Sequence, residues 1–343
     1  ILVTGGSGGL GLRLATWLAA RGARHVLLCS RRAPTASAEA QIEKLRVTGT
    51  DVVMVQADVA DYAALQAQVA AATRARPITS VFHLAGVLDD GELGGQSWDR
   101  FAGVFASKVT GAWNVHRLTR QHALKHFVLF SSVASLVPAP GQSSYAAANA
   151  FLDALAHHRR SQGLPALAVN WGPWSEAGHA QTEYGRQAHE RLASLGIKSV
   201  APDEGLRILG TLIEQDLTQA AVVSVDWPLL FRVDPAASRL GLLADLVEEA
   251  TGASDAPRGP TELVATLRDM ATDERRPYLL LYLSDMVVAA LKLRTDDPLD
   301  PRQRLFDIGL DSIMALELKD RLERALGTPL SATLLFVRPT LDA

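Results

Sequence analysis

This 343-residue sequence predicts a doubly wound parallel α/β sheet of about seven strands, followed by a small all-α bundle. Three observations carry that reading. Short apolar runs alternate with helix-length amphipathic segments from Ile1 to Trp227, the pattern of strands joined by crossover helices. A glycine cluster, Thr4-Gly5-Gly6-Ser7-Gly8-Gly9-Leu10-Gly11, sits between the first strand and the first helix. There glycine lets the backbone turn sharply and approach a phosphate held at a helix N-terminus. Past Asp234 the alternation stops, and a Gly/Pro/Ser-bearing stretch over 252–260 reads as a flexible linker. The expected division is a dinucleotide-binding domain over 1–233, a linker over 234–275 and a helical domain over 276–343.

Composition bounds the function. Hydrophobic residues make up 48% of the chain, enough for a sizeable core. A net charge of −3 offers no electrostatic footprint for nucleic acid or an anionic membrane. A single cysteine, Cys29, rules out an internal disulfide framework, fits a cytoplasmic location, and in a strand reads as a buried inert thiol. No apolar run is long enough to span a bilayer, and no metal-ligand set is apparent. Ile1 already lies inside a strand and Ala343 follows what reads as a helix start, so both ends read as cuts through a longer polypeptide.

Strands are expected at 1–3, 25–30, 51–57, 79–84, 127–130, 166–170 and 221–225. Residues 97–122 read as one helix with Trp98, Phe101, Val104, Phe105, Val109 and Trp113 as its apolar stripe. Lys108 falls off the centre of that stripe and by itself reads as a solvated lysine. The stretch from Phe127 to Phe151 organises the chain. A strand ends in Ser131-Ser132, and an alanine-rich helix opens at Tyr145. Ser132 precedes Tyr145 by 13 residues, so a strand-end hydroxyl and a helix-start phenol can meet above the sheet. Asn149 lies four residues past Tyr145, on the same helix face.

Ser132, Tyr145 and their spacing resemble the active site of the short-chain dehydrogenase/reductases. That superfamily usually carries lysine where Asn149 stands, and here the lysine is Lys108. The exchange resembles the ketoreductase domains of modular type I polyketide synthases, which reduce a carrier-bound β-ketoacyl group. The glycine turn matches the superfamily's TGxxxGxG, and the fold implied is Rossmann-like.

On that resemblance NADPH is the cofactor, held by Thr4, Gly5, Ser7, Gly8, Gly9, Leu10 and Gly11. Ser30, Arg31 and Arg32 close the second strand where NAD-preferring chains carry an acidic residue, and Arg31 is suited to a 2′-phosphate. Asp58 and Val59 are expected beside the adenine, and Ala85 and Gly86 beside the nicotinamide ribose. Tyr145 is the implied general acid, and a neighbouring Lys108 ammonium would lower its pKa. Ser132 would hydrogen-bond the carbonyl oxygen, and Asn149 would order the proton relay. Leu88-Asp89-Asp90 resembles the signature of B-type enzymes. The A-type tryptophan position holds Val137, and Ala147 stands where the B2 subgroup has proline, so the expectation is B1 and a 3R alcohol. Trp171-Gly172-Pro173-Trp174 resembles the segment before the substrate lid, expected over 175–195.

Farther on, Gly309-Leu310-Asp311-Ser312-Ile313 after a long helix and loop resembles an acyl carrier protein. Ser312 would then carry 4′-phosphopantetheine, although a serine at a helix start also serves as a simple cap. The implied partners are a β-ketoacyl thioester, a phosphopantetheinyl transferase, and ketosynthase, acyltransferase and dehydratase domains of a homodimeric parent. The reductase's usual preceding structural subdomain is absent from this sequence. A reductase-inactive structural or epimerising domain, a free-standing ketone reductase, and the equivalent unit of a fatty acid synthase remain open alternatives.

Overall fold

The structure is a computed structural model. It describes residues 1–74, 76–137, 140–175, 183–251, 262–291, 300–310, 312–326, 328, 330–331 and 334–342. The chain forms two compact units, Ile1–Gly252 and Ala253–Ala343.

The first unit opens with β1 (Leu2–Thr4), α1 (Gly9–Ala20), β2 (His25–Ser30), α2 (Ala36–Val47), β3 (Asp51–Gln56), α3 (Tyr62–Thr73) and β4 (Ser80–His83). It continues through α4 (Trp98–Phe105), a π-helical turn (Ala106–Thr110), α5 (Gly111–Thr119), β5 (His126–Ser132), α6 (Ser143–Ser161) and β6 (Leu167–Trp171). After α7 (Glu183–Ser194) come β7 (Ile197–Lys198), α8 (Pro202–Glu214), β8 (Gln219–Val222), β9 (Ser224–Val225), α9 (Trp227–Val233) and α10 (Ala244–Thr251).

Seven strands form one parallel sheet in the order β3-β2-β1-β4-β5-β6-β8, a Rossmann-like arrangement with its crevice where β1 meets β4. Alternate strand residues serve opposite faces. Val3, Val26 and Leu28 pack against α1, α2 and α8, whereas Leu2, Leu27 and Cys29 pack against α3, α5 and α6. Burial pushes the Cys29 thiol up to about 12, with the Asp58 carboxylate adding to the effect, so this thiol stays protonated.

Three expectations are corrected. The seventh sheet strand is Gln219–Val222, two residues earlier than the sequence suggested. Its register against β6 ends at Val222, and Ser224–Val225 turns away to pair antiparallel with β7. The helix over 97–122 is unbroken from Trp98 to Thr119 but not α-helical throughout. Its π-helical turn rotates the inward face, so Ser107 and Lys108 are buried while Trp98 and Trp113 are 71% and 40% exposed. Residues 237–251, placed in the linker, are instead folded: Ala237 and Leu243 join Leu230 and Phe231 in a small core with Val247 and Ala250 packed on it. The linker residues 252–261 lie outside the described residues, as do 176–182 of the expected lid.

The second unit contains α11 (Glu262–Asp269), α12 (Thr272–Leu291), α13 (Ser312–Leu326) and α14 (Leu334–Val337). Val287, Leu305, Leu310, Ala315 and Leu318 form its core. Gly309, at φ +104°, reverses the chain after a 3-10 turn at Leu305–Ile308, and Leu310 then plugs into that core just before α13. Ser312 is the first residue of α13, the expected helix start; its side chain and Asp311 lie outside the described residues. Among the described residues no helix is long and apolar enough to cross a membrane, and none cluster as a metal site.

Candidate active site

The glycine turn fits a dinucleotide. Gly5 has φ +70°, and a Cβ there would stand 3.0 Å from the Ala85 nitrogen. A Cβ on Gly11 would stand 2.4 Å from the Gly5 carbonyl oxygen. Only glycine permits this close crossing of β1, α1 and the chain leaving β4. Gly8 caps α1 with no side-chain hydrogen bond, which leaves backbone N–H groups of Gly9, Leu10 and Gly11 at a positive helix end. Ser7 does not face outward alone: its N–H and hydroxyl both donate to the Ser30 hydroxyl, at 3.0 and 2.8 Å. That link ties the glycine turn to the end of β2, where Arg31 and Arg32 are exposed. Arg31 lies 3.9 Å from Asp58, a loose exposed pairing that leaves its guanidinium available to a phosphate. Asp58 turns the chain by accepting from the Ala60 N–H, and Val59 is buried against Gly111.

His83, at the end of β4, ties several of these parts together. It is fully buried, and burial, with the nearby Lys108 charge, drives its pKa down to about 3. The ring is therefore neutral. Its Nε2–H donates to the Ser107 carbonyl at 3.2 Å, so Nδ1 accepts from the Thr4 hydroxyl at 2.8 Å. Thr4 in turn accepts from the Ala85 N–H at 3.3 Å. The sequence placed Thr4 as a cofactor contact; its hydroxyl is engaged in joining β1 to β4.

The four predicted catalytic residues come together at the carboxyl ends of β4 and β5. The Lys108 side chain, 4% exposed, crosses from the π-helical turn to donate to the Phe130 carbonyl at 2.9 Å. Its Nζ lies 5.4 Å from the centre of the Tyr145 ring. Desolvation lowers its pKa to about 8, opposed by the Asp153 carboxylate. Gly86 passes against this lysine, since a Cβ there would stand 3.0 Å from Lys108 Cε. Asn149 is fully buried; its amide donates to the Tyr145 carbonyl at 2.8 Å, and its Oδ1 is a buried acceptor without a protein partner. Ser132 closes β5, and its hydroxyl accepts from the Ala134 N–H at 3.2 Å.

The Tyr145 pKa departs from expectation. Burial raises it above the usual phenol value, against the opposing polar contacts of Asn149 and Ser132, and Asp90 raises it further. The net direction is upward, opposite to the lowering the sequence reading expected from Lys108, because burial outweighs the contacts that favour the phenolate.

The Leu88-Asp89-Asp90 loop reaches this site. Arg100 of α4 donates from Nε to Asp89 at 3.0 Å and from Nη2 to the Asp90 carbonyl at 2.8 Å. Gln142, just before α6, donates to Asp90 Oδ2 at 3.0 Å, and the Gly91 N–H donates to the Gly141 carbonyl at 2.8 Å. The loop is thus fastened to the segment that delivers Tyr145. Trp171 and Trp174 pack at a tilt of 53° with centroids 4.5 Å apart, and Trp174 packs into the space over Gly205 of α8. Sequence reasoning passed over His83, Arg100, Gln142 and Asp153. Only Asp153 carried a readable signal, lying four residues past Asn149 on the same helix face.

Comparison with known proteins agrees with this geometry. The KR domain family model matches residues 1–176, and the phosphopantetheine attachment site model matches residues 282–343. The chain is 40% identical over 353 residues to the spectinabilin polyketide synthase system protein NorB of Streptomyces orinoci, covering 100% of this chain and 16% of that protein. It is 36% identical over 345 residues to the erythronolide synthase EryA3 of Saccharopolyspora erythraea, covering 99% of this chain and 11% of that one. The chain therefore spans only a small part of these relatives. Among solved structures, an A1-type ketoreductase superposes with TM-score 0.68 at 39% identity, covering 73% of this chain and 53% of that one. The ketoreductase from the first module of phoslactomycin biosynthesis in Streptomyces sp. HK803 superposes with TM-score 0.63 at 35% identity, covering 70% and 56%. This chain belongs to the ketoreductase (KR) domain family, joined to a phosphopantetheine-binding carrier region and homologous to modular type I polyketide synthases.

Proposed function

We propose that the first unit reduces the ketone of a β-ketoacyl thioester to a 3R β-hydroxyacyl thioester, with the acyl chain tethered through 4′-phosphopantetheine on Ser312. The observation that carries the reading is the convergence of Tyr145, Ser132, Asn149 and buried Lys108 beside the glycine turn. NADPH, when bound along Gly5–Gly11 with its 2′-phosphate toward Arg31 and Arg32, supplies the hydride.

The protein's own groups manage the proton. Tyr145 holds its hydroxyl proton firmly at neutral pH because burial raises its pKa, so it is in the form an acid must have. Ser132 donates a hydrogen bond to the substrate oxygen as charge gathers there. As the proton passes from Tyr145 to that oxygen, the phenolate left behind is stabilised by the Lys108 ammonium and the Asn149 side chain. Asn149 also fixes the first turn of α6 through the Tyr145 carbonyl. The loop at Leu88, Asp89 and Asp90, fastened to Gln142, is read as the stereocontrol element and assigned to B1 on its resemblance to the B-type signature. The carrier raises the local concentration of substrate by tethering. A phosphopantetheinyl transferase, with ketosynthase, acyltransferase and dehydratase domains of a cytoplasmic homodimeric synthase, completes the set of partners.

The test is coenzyme oxidation with a diffusible β-ketoacyl thioester, the product resolved by chiral chromatography. The expected result is NADPH preferred over NADH and a 3R alcohol. A 3S product overturns the reading of Leu88-Asp89-Asp90, and equal use of NADH overturns that of Arg31 and Arg32.

A further inference from the structure

Adjoining the catalytic residues is a buried polar cluster that the reaction described above does not use. Asp153 of α6, Asn170 of β6 and Ser131 of β5 are 8%, 0% and 4% exposed. Asp153 Oδ2 lies 2.7 Å from the Ser135 hydroxyl and 2.8 Å from the Asn170 amide nitrogen. Gln219 donates to Asn170 Oδ1 at 3.0 Å, which fixes the amide so that its N–H groups point toward Asp153. The Asn170 amide also reaches the Ser132 carbonyl at 3.3 Å, and the Ser135 hydroxyl, with one proton to give, sits between Asp153 and that carbonyl, 2.8 Å from the latter. The Ser131 hydroxyl donates to the Asn149 carbonyl at 3.3 Å. One carboxylate thus organises the donors that hold the end of β5, and β5 is joined to the turn of α6 that carries Asn149.

We propose that Asp153 is a positioning residue: its carboxylate locks the Ser131–Ser132 strand end to the Asn149 turn and gives the buried Lys108 ammonium its counter-charge. The inference rests on the reductase reading above. Lys108 donates to the Phe130 carbonyl of β5 and lies 5.4 Å from the Tyr145 ring of α6, while neutral His83 of β4 stands near and Asp153 of α6 acts on it by charge from beyond ion-pair distance; Asp90 acts on Tyr145 from the loop after β4. Among these groups Asp153 is the negative charge that favours the ammonium form of Lys108. Lys108 loses its proton as pH rises through about 8. Removing the carboxylate brings that loss to lower pH, so the alkaline limb of activity moves the same way. A purely structural Asp153 would change stability and leave that limb in place.

The experiment uses the full chain, labelled with carbon-13 at lysine Cε and titrated by NMR, with Lys108→Arg identifying the signal. Steady-state kcat and KM are measured across pH in parallel. In Asp153→Asn the Lys108 midpoint falls below its wild-type value, the alkaline limb of kcat falls with it, and kcat drops about tenfold at unchanged NADPH KM. In Ser135→Ala, which keeps the charge and removes one tether, kcat drops while the Lys108 midpoint stays in place. An unmoved Lys108 midpoint in folded Asp153→Asn overturns the proposal, as does wild-type kcat in that variant. Should Asp153→Asn fail to fold, wild-type kcat in Ser135→Ala overturns it. A wild-type chain without reductase activity refutes the function instead, and the Lys108 titration then decides the positioning claim alone.

Discussion

Replacing His83 by glutamine should remove a large part of the first unit's sensitivity to acid. Its folded pKa is about 3 against an ordinary value of 6.5, chiefly because the ring is cut off from water and secondarily because Lys108 lies near. The folded state therefore favours the neutral ring, and the resulting stability is fully present above the unfolded value. It is lost as pH falls toward 3. The complete shift corresponds to about 5 kcal/mol, of which about half is lost between ~pH 7 and ~pH 4.5. Glutamine keeps a donor for the Ser107 carbonyl and has no charge to gain. Urea unfolding followed by tryptophan fluorescence reads the first unit alone, because all six tryptophans lie in it. His116, lowered to about 4, and His126, also lowered, destabilise both proteins alike in acid, so the difference isolates His83. Wild type should lose about 2 to 3 kcal/mol more than His83→Gln over this interval. Parallel pH profiles would refute the neutral, buried ring and the hydrogen-bond assignment drawn from it.

Gly86→Ala should lower kcat with little loss of stability. Its Cβ would stand 3.0 Å from Lys108 Cε and 3.5 Å from Nζ, so the lysine end must shift by a few tenths of an ångström and weaken its bond to the Phe130 carbonyl; unchanged kcat would show that the lysine yields without cost. Ser312→Ala should abolish the gain of one phosphopantetheine mass on treatment with a phosphopantetheinyl transferase and coenzyme A, read by intact mass spectrometry. Modification of that variant would place the attachment elsewhere.

The parallel sheet was legible because its strands are near-continuous apolar runs, buried on both faces, that need no knowledge of partners. The glycine turn was legible because the close crossing at Gly5 and Gly11 excludes a Cβ. Lys108 was found only through its spacing to Tyr145. Its burial was not legible, because the π-helical turn at Ala106–Thr110 breaks the 3.6-residue period by which a helix face is read. The same break explains why Trp113, beyond it and taken as part of an inward stripe, lies exposed. The folded stretch 237–251 carried a readable signal, Leu243, Leu246, Val247 and Ala250 at i, i+3, i+4 and i+7, that was passed over when the stretch was taken for linker; its partners lie in α9. The Asp153 cluster draws on α6, β6 and the turn after β5, elements that only the folded topology brings together. The direction of the Tyr145 pKa likewise depends on desolvation, which no spacing reports.

The most direct test of the central claim compares wild type with Tyr145→Phe in NADPH oxidation driven by a β-ketoacyl thioester, with NADPH binding measured on both. Turnover in wild type and its loss in the variant, with binding intact in each, is the predicted result. Wild-type protein that is folded and binds NADPH but leaves the ketone unreduced, or a variant that turns over at the wild-type rate, would contradict it.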